Sequence, residues 1–477
     1  MKVLTRRQFG KTAAAAVAAT ALPKFPFAQA HPVSPSFPQG FLWGCATASY
    51  QIEGGAKDGG RGPSIWDTFS HTPGKTYHGD TGDVADDSYH LYKEDVKLLH
   101  NLGANMYRMS ISWSRVFPQG KGQPNPVGLD YYNRVVDELL ANNITPYITL
   151  FHWDLPQALA GGWQSRDTSL AYADYAGFIA RHLSDRVHHF MTTNEFVCFT
   201  DLGYRQGRFA PGLKLANGPA NQVRHHGILA HGLGVQAIRA NAGSDVLVGM
   251  AENPEVFVPV IENEENIHAA RLATRDRNAP FLATVLEGKY PDFYLQREGP
   301  NAPKVEPGDM KAIGSRLDFV GLNVYQPNYV RASASARGYV IEKPYASFPH
   351  MASPWITVGP ECMYWAVRNV CDIWNPPAIY ITENGCSSDD AITPDGRIED
   401  TDRLMYLRNY ITHLHRAAAE GYPVKGYFLW SLLDNFEWCD GYSKRFGIHY
   451  VDFKTEKRTP KLSAEWYRQV IAHNAVV

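Results

Sequence analysis

Short apolar runs recur along the chain, alternating with stretches whose apolar residues return every three or four positions. Eight runs have strand length: 41–48 (FLWGCATA), 104–111 (ANMYRMSI), 146–153 (PYITLFHW), 188–195 (HHFMTTNE), 246–253 (VLVGMAEN), 318–325 (DFVGLNVY), 378–385 (AIYITENG) and 424–431 (VKGYFLWS). Runs that are apolar at successive positions suit parallel strands covered on both faces. Helical periodicity fills the intervals, most plainly at 87–103, 129–143 and 404–421, the last ending on the stop signal Gly421. With a closing helix near 462–474, the count predicts the α/β class and a single (β/α)8 TIM barrel. A length of 477 residues fits one such domain. Long loops after the first, fifth, sixth and eighth strands would gather at one end of it.

The first thirty residues break the pattern. A basic stretch with Lys2, Arg6, Arg7 and Lys11 precedes an apolar run, Thr12 to Leu22, too short for a membrane span. Ala28-Gln29-Ala30 has the small-x-small form of a cleavage site. Residues 1–30 are therefore expected to be a cleaved signal peptide, leaving 31–477 as the barrel domain behind a Pro-rich lead-in at 31–39. Thr5 to Lys11 (TRRQFGK) resembles a twin-arginine export signal, with Gly10 where Leu is commoner. An exported protein, periplasmic or secreted, is the expectation. The segment holds five basic and no acidic residues, so its removal takes the formal charge from −2 to −7. A mildly acidic chain has no footprint for nucleic acid, and no later run reaches membrane-span length. The six Cys are widely spaced and form no disulfide framework, and are expected to be mostly buried free thiols. CxxC and HExxH are absent, so nothing in the sequence signals a metal.

Barrels of this kind carry their chemistry where the strands end. Those ends hold Gln51 past the first strand, Arg108 in the second, and His152-Trp153 after the third. The fourth ends in Asn194-Glu195, the sixth brings Asn323 and Tyr325, and the seventh ends in Glu383-Asn384. Trp430 closes the eighth, with Glu437-Trp438 in the loop beyond. Two carboxyls on one cavity are the minimal apparatus for glycoside cleavage: one protonates the leaving oxygen, the other attacks or stabilises the oxocarbenium-like carbon. Glu195 and Glu383 would face each other across the ring. A lone Glu at a strand end is ordinarily an ion-pair partner, and a lone His a satisfied core residue; here it is the company they keep that points to chemistry. GLGVQA (232–237) superficially matches a dinucleotide loop but lies within a helical stretch without a preceding strand. His225, His226 and His231 share that stretch without an acidic cluster and read as ordinary helix residues.

Taken together, FLWGCATASYQIEG (41–54), YRMSISWSRVFP (107–118), FHWDLP (151–156), TTNEF (192–196), GLNVY (321–325), ITENG (381–385), LWSLLDNFEW (429–438) and YSKRFGIHYVDF (442–453) resemble glycoside hydrolase family 1 from Phe37 to His473. The resemblance implies a retaining β-glycosidase, first of all a β-glucosidase, working without cofactor or metal. It implies Glu195 as general acid/base and Glu383 as nucleophile, with Arg108 and Tyr325 against the nucleophile. It implies that Gln51, His152, Trp153, Asn194, Asn323, Tyr325, Trp430, Glu437, Trp438 and Phe446 bind a small β-glycoside or oligosaccharide. Asn194 would hold the 2-hydroxyl and Trp430 the floor beneath the ring. Glu437 would repel a 6-phosphate, which favours a neutral sugar over a phosphorylated one. Glucose, galactose and fucose, hydrolysis against transglycosylation, and oligomeric state stay open. With both carboxyls present, a non-catalytic sugar-binding barrel is disfavoured. Two departures stand out: Phe196 replaces the Pro that usually follows the NE pair, and WITVGPEC near Trp355 is one residue longer than usual before Pro-Glu. Cys386 and Cys439, beside catalytic segments, suggest sensitivity to thiol reagents.

Overall fold

The computed structural model describes residues 36–477. The signal-peptide segment 1–30 lies outside the described residues, as does the start of the Pro-rich lead-in. Eight parallel strands close into a barrel: β1 (Leu42–Ala46), β2 (Met106–Ser110), β3 (Thr145–Phe151), β4 (His189–Asn194), β5 (Leu247–Glu252), β6 (Phe319–Asn323), β7 (Ile379–Asn384) and β8 (Val424–Trp430). Each pairs with its neighbours in sequence, and β8 closes on β1 through Leu42 opposite Gly426 to Ala46 opposite Trp430. The strands are nearly all buried on both faces, which is why their sequences do not alternate.

Eight principal helices surround the strands: α1 (Ser88–Leu102), α2 (Pro126–Ala141), α3 (Arg166–Leu183), α4 (Asn217–Asn241), α5 (Glu264–Arg277), α6 (Cys362–Trp374), α7 (Thr401–Ala419) and α8 (Leu462–His473). In α1 the buried residues are Ser88, Asp95, Val96, Leu99 and Leu102, one stripe at helical spacing, and Gly103 ends the helix in the left-handed region. His225, His226 and His231 are packed inside α4, where His225 meets Asp309 at 2.9 Å and His231 meets Thr192 at 2.6 Å. GLGVQA lies in the same helix. Among the described residues no helix is long and apolar enough to cross a membrane.

The barrel interior is filled by rings. Tyr147 of β3 stacks on His189 of β4 at 4.1 Å and reaches across to Tyr380 of β7 and Phe428 of β8 at 5.5 and 5.0 Å. Contacts between strands that are not neighbours can only be made through the interior. This packed layer leaves the C-terminal strand ends as the place for a cavity.

Candidate active site

The ladder slips where the two carboxyls emerge. Pairing of β4 with β5 shifts between Met191 and Asn194, and that of β7 with β6 between Ile381 and Glu383. Such irregularities re-aim side chains at barrel rims. Glu195, just past β4, has φ 50, and Trp153 and Trp438 have φ 79 and 51. Three non-glycine residues in the left-handed region of one site mean the surroundings override local preference. Gly385 follows Glu383-Asn384 because a Cβ there would lie 1.7 Å from the carbonyl oxygen of Trp430.

Glu195 and Glu383 are 6% and 4% exposed and line one cavity of about 330 Å³, within the range of small-molecule pockets. Arg108 organises its base. The guanidinium donates to Glu383 Oε1 at 2.5 Å, to the Thr382 carbonyl at 3.1 Å, to Asn194 Oδ1 at 2.6 Å and to Thr149 at 3.1 Å. The Tyr325 hydroxyl donates to Glu383 Oε2 at 2.7 Å, so both oxygens of that carboxyl are held. Asn323 donates to Glu195 Oε1 at 2.7 Å and to Asn194 Oδ1 at 3.0 Å, linking the two halves. The thiol of Cys198 donates to Glu195 Oε2 at 3.1 Å.

This asymmetry decides where a proton sits. Burial, then the charge of Glu383, raises the proton affinity of Glu195 well above that of an ordinary carboxyl. Burial raises Glu383 too, but the adjacent Arg108 and the Tyr325 hydroxyl pull it back. Two coupled carboxyls share a proton, and the one without the cation keeps it. The site therefore presents a protonated Glu195 opposite a charged Glu383.

The remaining residues form a polar pocket with aromatic walls. His152 is kept neutral by burial and the charge of Arg108. Its Nε2 accepts from Asn194 at 3.2 Å, which leaves the ring proton on Nδ1, an atom without a hydrogen-bond partner among the described residues. Gln51 donates to Asn435 at 2.9 Å and Glu437 at 3.3 Å, while its own buried Oε1 has no partner there. Trp438 packs on Trp153 and Trp66, each at 4.5 Å, and the rings of Trp430 and Trp438 each lie nearly parallel to that of His152, at 5.8 and 6.0 Å. Trp153 donates its indole N–H to the Asn194 carbonyl at 2.9 Å. Phe446 and the half-exposed Trp355 stand at the mouth, 6.5 Å apart.

The residues expected to act on a sugar thus meet around one cavity or in the hydrogen-bond network at its base, whereas Asn384 is turned away, donating to the Val324 carbonyl at 2.7 Å and to the Tyr406 hydroxyl at 3.3 Å. Sequence reasoning passed over Cys198, Arg208, Asn253 and Glu252. Cys198 sits three residues after Glu195, and the tight turn that follows β4, closed by the Cys198 N–H donating to the Glu195 carbonyl at 3.0 Å, brings its thiol back to the Glu195 carboxyl. The two cysteines named for reactivity differ: Cys386 is fully buried, its thiol pushed up by burial, and unavailable to reagents, whereas Cys439 is half-buried at the cavity mouth. All six cysteines are unpaired.

The family model "Glycosyl hydrolase family 1" matches residues 33–476. A 1,4-beta-D-glucan glucohydrolase of Thermotoga neapolitana is 45% identical over 92% of this chain and 99% of its own length. A bifunctional beta-D-glucosidase/beta-D-fucosidase of Bifidobacterium breve is 42% identical over 92% and 99%. The solved family 1 β-glucosidase of Thermotoga maritima superposes with a TM-score of 0.85 at 42% identity, covering 93% of this chain and 99% of that one. The same enzyme has been solved with glucoimidazole and with galacto-hydroximolactam.

Proposed function

The chain belongs to glycosyl hydrolase family 1, and from that premise we propose that it is a retaining β-glucosidase releasing terminal non-reducing β-D-glucosyl residues through a covalent glycosyl-enzyme. The observation that carries the assignment of roles is the unequal pairing of the carboxyls: Arg108 and Tyr325 bind Glu383, while Asn323 and Cys198 bind Glu195. Glu383 attacks the anomeric carbon as the protonated Glu195 gives its proton to the leaving oxygen. Glu195, now a carboxylate, takes a proton from the water that releases the sugar. The Nδ1–H of His152 and the Oε1 of Gln51, both without a partner among the described residues, supply with Glu437 one donor and two acceptors for sugar hydroxyls. Asn194 serves the 2-hydroxyl, and Trp430, Trp438, Trp153 and Phe446 enclose the ring.

Azide rescue tests both roles at once. Glu383→Gly cannot form the intermediate, so azide attacks directly, and an activated β-glucoside gives an α-glucosyl azide. Glu195→Ala still forms the intermediate from a leaving group that needs no proton, and azide replaces water, giving the β-azide. Proton NMR of the anomeric centre separates the two. The reverse pairing would swap the roles, and β product from both variants would remove Glu383 as nucleophile.

A second reading, β-fucosidase or β-galactosidase activity on the same site, is favoured by the Bifidobacterium breve relative and by the galacto-configured ligand of the Thermotoga maritima enzyme. We further propose export through a twin-arginine signal, resting on Arg6-Arg7, the apolar run and Ala28-Gln29-Ala30. Replacing both arginines by lysine should strand an unprocessed precursor in the cytoplasm. Processed protein outside the cytoplasmic membrane would refute this.

A further inference from the structure

Phe196 brings a backbone N–H to a position directly after Glu195 that is completely buried. A buried N–H must find a partner or cost free energy comparable to a lost hydrogen bond. Helical pairing supplies none so early in the turn that follows, because the first N–H groups of a helix point at no intrahelical acceptor. The β4–β5 ladder has also slipped by Asn194. The partner is the side chain of Glu252, at the end of β5: the Phe196 N–H donates to its Oε2 at 2.9 Å. Glu252 is itself only 3% exposed, and no step of the mechanism uses it.

The preceding N–H, that of Glu195, donates to the carbonyl of Ala251 at 2.8 Å. Two consecutive amides flanking the acid/base are thus tied to two consecutive residues of β5. Between them Glu195 holds φ 50, a conformation that persists only where neighbours over-determine it. We propose that Glu252 is a positioning residue for the general acid/base, its carboxyl fixing the Glu195–Phe196 peptide and through it the direction of the Glu195 carboxyl. Burial pushes Glu252 up to about 8, with the nearby Glu195 adding to the rise, so near neutrality it is mainly a neutral acid. A neutral carboxyl still accepts an N–H through its carbonyl oxygen, and it sets no second negative charge beside Glu195.

The inference rests on Glu195 acting as general acid, and its test uses a property specific to that role. A misaimed acid slows departure of groups that need a proton and spares those that do not. The measurement is kcat/KM for p-methoxyphenyl β-glucoside, a poor leaving group, against 2,4-dinitrophenyl β-glucoside, a good one. General acid catalysis contributes about 10²–10⁴-fold, so Glu252→Ala should lower the first by about tenfold or more and the second by less than about twofold. Glu252→Gln, which keeps an acceptor oxygen, should restore most of the loss. In a Phe196→Pro background there is no N–H to satisfy and φ is fixed by the ring. Glu252→Ala should there leave the ratio of the two substrates within about twofold, whatever Phe196→Pro does to stability by removing a ring packed on Phe281 at 5.5 Å. Should Glu252→Ala fail to fold, Glu252→Met fills the space without an acceptor and takes its place. Equal loss on both substrates, or a ratio change that persists in the Phe196→Pro background, would overturn the proposal. Glu195→Ala measured alongside separates the two levels: if it shows no leaving-group selectivity the acid/base reading fails, and if it alone shows it, only the role of Glu252 fails.

Discussion

Glu437 enters the site with acceptor capacity to spare. Its side-chain partner among the described residues is Gln51 at 3.3 Å, and burial together with the charge of Asp440 raises its proton affinity. A sugar that offers hydroxyls to this carboxyl relieves an otherwise poorly satisfied group. Truncating Glu437 leaves the buried hydroxyls it accepted from without a partner, which typically costs about 1–3 kcal/mol for each such group. Glu437→Ala should therefore depress kcat/KM strongly on p-nitrophenyl β-glucoside and β-galactoside, and less on the β-fucoside, which lacks the 6-hydroxyl. Equal losses on all three would show that no contact to the 6-hydroxyl exists. Glu437 stood out in the sequence because LWSLLDNFEW is distinctive as a string. Cys198, Asn253 and Glu252 had no such signal. Cys198 depends on the tight turn that follows β4, and Glu252 depends on which side chain of β5 lies beside the end of β4, a relation across 56 positions of sequence.

At the level of elements, the eight strands were legible because burial on both faces leaves an unbroken apolar run. Their limits were less so. The first apolar run spans 41–48, but β1 stops at Ala46, and Thr47 adds the last rung of the β1–β2 ladder by donating its N–H to the Arg108 carbonyl at 2.9 Å. The interval between β5 and β6, read only as a long loop, begins a small separate sheet. Phe257–Pro259, Asn328–Ala332 and Tyr339–Ile341 pair there and cover Ala269, Ala270 and Ala273 of α5. Strands of three to five residues are too short to show a periodicity, and the first of them finds its partner some 70 positions away. The slips in β4 and β7 were equally hidden, although they aim both carboxyls. The chemistry of the strand ends was thus readable in residue type, while its direction came from pairing geometry.

The described residues include many buried titratable groups, and their shifts oppose one another across the pH scale. Burial pushes Asp154 up to about 7 and Glu252 up to about 8, and raises Glu195 and Asp86. Unfolded carboxyls release their protons near about 4. As pH rises from there toward about 8, the native state retains protons that the unfolded chain has lost, and stability falls. Burial lowers His231 to about 3 and His189 and His449 to about 4, against about 6.5 when unfolded. As pH drops below about 6.5 the unfolded chain takes up protons that the native state refuses, a loss that opposes the gain from the carboxyls between about pH 6.5 and about pH 4. Above about pH 6.5 the imidazoles are neutral in both states and only the carboxyl effect remains, so Tm followed by circular dichroism should decline from about pH 6.5 toward about pH 8. Asp86 isolates the alkaline limb. It is fully buried, neither of its carboxyl oxygens has a hydrogen-bond partner among the described residues, and it lies outside the proposed catalytic machinery. Asp86→Asn is close to the protonated native side chain in shape and charge, so it should change Tm little at about pH 5 and raise it at about pH 8, where the native carboxyl loses ground to the ionised unfolded one. A Tm difference between variant and parent that does not grow with pH would show that Asp86 is not held as a neutral acid, and a parent Tm that climbs steadily to about pH 9 would show that the buried carboxyls do not govern the alkaline side.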